Sequence, residues 1–117
     1  MRVAQATATT GAHGYEETPL LQVIALAALA LAHLFDYTSF LLMVSRHGLA
    51  AEANPIVVAI TQGAGLPGLT LAKVVTVALA AVVMVAIAPR RRRLAIALLT
   101  FGIGAGMVGG ISNVATL

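Results

Sequence analysis

Three stretches of the chain, residues 20–46, 66–88 and 94–115, are apolar almost without interruption, and each exceeds twenty residues. At a rise of about 1.5 Å per residue, roughly twenty helical residues cross the hydrocarbon core of a bilayer. Within them the charges are few: Asp36 and, at its end, Arg46 in the first, Lys73 in the second, none in the third. Across the chain 60% of residues are apolar and 9% charged, where an average soluble domain has about 45–50% and about 25%. Such a composition cannot cover a water-facing surface, which excludes a soluble globular enzyme. The expected fold is all-α: an integral membrane bundle of three transmembrane helices, with a short interfacial helix after the first span and no sheet. The lipid bilayer is its first partner.

Punctuation divides the rest. Residues 1–18 are small and polar and show no helical apolar period, so a mobile N-terminal tail is expected ahead of a single transmembrane domain over 19–117. The apolar stretch from Leu20 starts late and runs long for a cleaved signal peptide, so no cleavage is expected. Thr18 before Pro19 suits a helix start, and Arg46, His47 and Gly48 suit its end. Asn54 before Pro55 repeats the start signal, and Gly63 and Gly65 follow closely. A short helix over about 55–62 is predicted, too short to span a bilayer and therefore lying at the interface.

Four of the seven basic residues form one run, Arg90, Arg91, Arg92 and Arg93, between the second and third stretches. Between two spans such a run sets topology rather than binding nucleic acid, and it places this loop in the cytoplasm. With three spans, a cell-membrane protein results whose N-terminus is cytoplasmic and whose C-terminus lies outside. The same arginines also suit anionic lipid headgroups.

With no cysteine, the chain has no disulfide, thiolate metal site or iron–sulfur cluster. The sequence holds no Gly-x-Ser-x-Gly and no His-Glu-x-x-His, and no base partners its serines. No catalytic residue, metal or cofactor is expected. Gly102, Gly106 and Gly110 stand four apart in the third stretch, a spacing that lets two helix backbones approach closely, within one copy or between copies.

An ionisable residue inside a membrane costs several kcal/mol, on the order of 3 by insertion scales, and therefore calls for a partner. Asp36 lies about 24 Å along the first helix from its inner end, and Lys73 about 10 Å from the outer end of the second. They fall at one depth, and an interhelical ion pair is predicted. Asn113 comes to the same side near the end of the third stretch, as do Glu52 and Asn54 in the connection. On the first helix His33 and Asp36 share a face, close enough for a hydrogen bond. Three readings of this cluster stay open. The polar groups satisfy one another and fix helix register; or they form a ligand, ion or proton site open to the outer face; or His33, Asp36, His47 and Glu52 hold a metal, although their spacing follows no established ligand pattern.

The order Asp36, Thr38, Gly48, Glu52-Ala53-Asn54-Pro55 and then a lone Lys73 resembles an uncharacterised family of small prokaryotic three-helix membrane proteins. That family is similar in having an Asp and a Thr in the first span, a Glu-x-Asn-Pro loop and a Lys in the second span. Thr38 stands closer to Asp36 than the family's wider and variable spacing. The resemblance runs from about residue 20 to 117 and implies no activity, only a shared polar set of Asp36, Glu52, Asn54 and Lys73. The expected function is accordingly non-enzymatic, that of an accessory or structural subunit of a larger membrane complex or of a homo-oligomer, with other membrane subunits or itself as partner. The alternative is a minimal transport or ion- or proton-conducting unit with a polar site near the outer face.

Overall fold

A computed structural model describes residues 19–117; the tail expected over 1–18, including Thr18, lies outside them. Three helices carry the fold: α1 (Pro19–His47), α2 (Pro55–Ile87) and α3 (Arg92–Ala115), with a 3₁₀ turn at Leu49–Ala51 between the first two. Among the described residues there is no strand. All three helices are long and apolar enough to cross a membrane, the makeup of a multi-pass membrane protein.

The chain leaves α1 at Gly48, whose φ of 76° lies in the left-handed region that glycine tolerates, and whose N–H closes the last turn on the Val44 carbonyl at 2.9 Å. Asn54 then opens α2: its Oδ1 accepts from the Ile56 N–H at 3.0 Å, and Pro55 occupies the first helical position, where no donor is required.

The helix expected over 55–62 is joined to the second span across a kink. It forms the first limb of α2, which runs on past Gly63 and is interrupted only at Gly65 (φ 67°, ψ −173°). That backbone conformation is essentially restricted to glycine, so Gly65, rather than Gly63, makes the break. Pro67 follows in the first turn of the second limb, where its missing N–H costs little. The kink has a large effect on what meets what. In a straight helix Val57 and Thr76 would stand about 28 Å apart, yet both line one cavity.

α2 ends at Ile87, and the Arg90 and Arg91 N–H groups close a tight turn on the Ile87 carbonyl at 3.0 and 2.8 Å. α3 starts at Arg92, two residues ahead of the expected third span, because helical bonding already begins at the Arg91 carbonyl, which accepts from Ala95. Arg90, Arg91, Arg92 and Arg93 are all exposed.

α1 and α3 run parallel and are the tightly packed pair. A Cβ added at Gly106 would lie 2.8 Å from the Ala32 carbonyl carbon and 3.0 Å from the His33 nitrogen, so the two backbones touch there. Gly102 faces the Leu29 side chain, Gly109 the Asp36 carboxylate and Gly110 the Phe35 ring. The glycine face is thus occupied within one copy. α2 runs antiparallel to α1, meeting it through Phe40, Met43 and Leu69, which form the buried apolar cluster. Val57 and Ile60 of the first limb pack against that cluster, as do Leu49, Ala51 and Leu117. The outward surfaces stay apolar, with Leu71, Val74, Leu79, Val82 and Phe101 all exposed, as a lipid-facing bundle requires.

Candidate functional site

The polar residues gather between the three helices in the half of the bundle that holds the loop after α1. Lys73 of α2 donates to Asp36 Oδ2, and the two form an ion pair whose side chains are only 21% and 16% exposed. Pairing offsets much of the desolvation that either charge would suffer alone. Asn113, buried on α3, aims its amide nitrogen at the same carboxylate, 3.2 Å from Asp36 Oδ1, and lies 3.2 Å from the Asp36 backbone carbonyl and 3.3 Å from Ser39 Oγ. The Ser39 hydroxyl gives its one proton to the Asp36 carbonyl at 2.9 Å, so toward Asn113 it accepts. All three helices therefore converge on Asp36.

Two features make room and fix alignment. Gly109 leaves space for the carboxylate: a Cβ there would come within 2.5 Å of Asp36 Oδ1. Next to Asp36 on α1, Tyr37 hydrogen-bonds the hydroxyl of Thr70, which lies three residues before Lys73 on α2; because Thr70 already donates to the Leu66 carbonyl, Tyr37 is the donor. Among the described residues no buried side-chain nitrogen or oxygen lacks a partner.

Above this cluster lies a cavity of about 570 Å³. Asp36, Lys73 and Asn113 line it together with His33, Thr76 and Ser112, and Glu52 and Asn54 of the loop after α1 line it too. Phe40, Val57, Ile60, Leu69 and Val108 supply the apolar wall.

The structure brings the sequence candidates together unevenly. Asp36, Lys73 and Asn113 are in direct contact. His33 lines the cavity, but among the described residues no hydrogen bond joins it to Asp36, whose carboxylate is held by Lys73 and Asn113. Glu52 reaches neither Asp36 nor Lys73; its Oε1 accepts from the Asn54 N–H at 2.7 Å. The Glu52-Ala53-Asn54-Pro55 stretch is thus a linked helix start, Glu52 holding Asn54 and Asn54 capping α2. His47 sits exposed at the end of α1 and does not line the cavity, so the four candidate metal ligands are not brought together. Among the described residues no three His, Asp or Glu side chains are placed to share a metal ion. Thr38 is exposed and bonds back to the Leu34 and Phe35 carbonyls.

Ser39, Gly109 and the Tyr37–Thr70 contact were not among the sequence candidates. Ser39 follows Asp36 by three positions and Gly109 follows Gly106 by three, so helical spacing from residues already singled out would have found both. Nothing in the sequence alone marks Tyr37 and Thr70 as partners.

The family described as "Domain of unknown function (DUF5658)" matches residues 27–117, which takes in every residue of this site. No curated protein and no solved structure matches the chain.

Proposed function

We propose that this chain, which belongs to the DUF5658 family, is a non-enzymatic membrane protein that serves as an accessory or structural subunit, in a larger membrane complex or as a homo-oligomer. The supporting observation is that the two intramembrane charges neutralise each other while α1 packs closely against α3 along the glycine face. The cavity around Lys73 and a smaller notch of about 130 Å³ near Gln22, Met84 and Arg92 share no lining residue. Between their levels, the contacts of Gly102 with Leu29 and of Gly106 with Ala32 close α1 against α3. The intramembrane charges are committed to each other, as expected of groups that hold helix register. In this reading the exposed arginine turn faces the cytoplasm, with the N-terminus on that side; Glu52, Asn54 and the C-terminus face outward. The test is extraction in native lipid discs followed by intact-mass measurement. A mass of several chains, or of this chain with another membrane protein, supports the reading; a single chain carrying no other protein overturns it.

A second reading, a minimal transport or ion- or proton-conducting unit, draws on the cavity itself. His33 and Ser112 line it with polar side-chain atoms that hold no partner among the described residues. Vesicles containing the protein and an entrapped pH dye test the proton form: under an imposed gradient, a leak equal to that of empty vesicles rules it out.

A further inference from the structure

We propose that the cavity beside Lys73 binds a monovalent lipophilic organic cation, with the Glu52 carboxylate as its counter-charge. The proposal rests on the second reading, that of a polar site near the outer face, and not on assembly.

Charge balance leads to it. Asp36 and Lys73 line the cavity but neutralise each other. Glu52 is the remaining carboxylate on the lining, and among the described residues no cation stands within ion-pair distance of it. Among the Asp, Glu and Lys side chains that line the cavity, Glu52 leaves one negative charge uncompensated. An anion entering it would meet Glu52 while Lys73 is already engaged; a monovalent cation would balance it. A bare metal ion fits poorly, since no three His, Asp or Glu side chains among the described residues are placed to share one, and Phe40, Val57, Ile60 and Leu69 give the cavity an apolar wall. That wall suits an apolar body instead, and Phe40 and Leu69 are held rigidly within the buried cluster. The volume of about 570 Å³ falls within the range of small-molecule sites, about 300–1,000 Å³.

Glu52 is also oriented in advance. Its Oε1 is fixed by the Asn54 N–H, which leaves Oε2 for a ligand. In a partly desolvated site near lipid, an oriented carboxylate attracts a cation more strongly than the same group in water.

The full chain in phosphatidylcholine nanodiscs is titrated with radiolabelled tetraphenylphosphonium, and separately with the isosteric anion tetraphenylborate, each corrected for empty discs. Saturable binding of the cation is expected, weakened at least tenfold by Glu52→Gln. Glutamine keeps an acceptor for the Asn54 N–H, so the helix start survives, and an unchanged circular dichroism melting curve verifies the fold. Equal cation affinity in the wild type and Glu52→Gln overturns the role of Glu52. Saturable binding of the borate alone overturns the cation assignment but leaves an outer site standing. Binding of neither ion above empty discs overturns the proposal, while the outer-site reading is decided separately by the proton leak of vesicles containing the protein.

Discussion

Replacing Asp36 and Lys73 singly and together measures what their ion pair does for the bundle. Asp36→Asn keeps the side chain's size against Gly109 and an acceptor for Asn113, and removes only the charge facing Lys73. Lys73→Met removes the other charge and keeps an apolar stem. Deleting one partner of a fully buried pair costs about 3–5 kcal/mol, because the remaining charge is stranded. The two side chains keep 21% and 16% exposure, so partial hydration lowers the expectation to about 2–4 kcal/mol for each single variant. The double variant strands no charge. It should lie within about 1 kcal/mol of the less stable single, a coupling energy of about 1 kcal/mol or more. Unfolding by sodium dodecyl sulfate from mixed micelles, followed by far-ultraviolet circular dichroism, gives all four values. Additive losses, with a coupling below about 0.5 kcal/mol, would refute the argument that this pair fixes α2 against α1.

Gly106→Ala should destabilise by about 1–3 kcal/mol in the same assay, because its Cβ meets Ala32 and His33 backbone atoms. Gly104→Ala, with nothing within 4 Å of its Cβ, should be neutral or stabilise by up to about 1 kcal/mol through helix propensity. Gly65→Ala should cost about 1–3 kcal/mol from its backbone conformation, whereas Gly63→Ala, which is helical and meets nothing, should not destabilise. Because the chain has no native cysteine, orientation can be tested with Ala53→Cys and Pro89→Cys. A membrane-impermeant maleimide applied to intact cells should label the first and not the second, and the reverse pattern would invert the proposed topology.

The spans and the level at which Asp36 meets Lys73 could be read from sequence because both follow from lengths. Apolar runs must match the bilayer, and a fixed rise per residue converts position into depth. Asn113 was legible in the same way. The role of Glu52 was not: depth placed it on the correct side, but which group its carboxylate would hold depends on loop geometry, and the nearest donor was the N–H of Asn54, two residues on. His33 shows the limit of spacing arguments. Its position three residues before Asp36 allowed a hydrogen bond, yet spacing along one helix says nothing of partners from the others, and Asp36 is instead held by Lys73 of α2 and Asn113 of α3. The glycine spacing announced a close helix contact without naming the partner; that became visible only once Gly106 lay against Ala32. The break in α2 was expected at Gly63 and Gly65 together, because both give the same signal in sequence, and only Gly65 takes the left-handed φ.

A single ion pair can carry so much of the specification because the rest of α2 offers little of its own. Its second limb presents mostly Leu, Val and Ala on every side, and in lipid such a surface has no hydrophobic reason to prefer one neighbour or one level. Sliding α2 by one turn, about 5.4 Å, would change its outward-facing apolar contacts modestly, since one Val or Leu replaces another, while drawing Leu69 out of its cluster with Phe40 and Met43. The same slide would place Leu69 or Val77 against Asp36 and carry Lys73 away from its counter-charge. It would also part Tyr37 from Thr70, one turn from the pair. α3 faces no such ambiguity, because Gly102, Gly106 and Gly109 fit particular features of α1 by shape. The bundle thus joins its helices by two different rules, shape complementarity for α1 with α3 and charge for α1 with α2. It is the second, weaker-packed joint that borders the cavity and bears the hinge at Gly65.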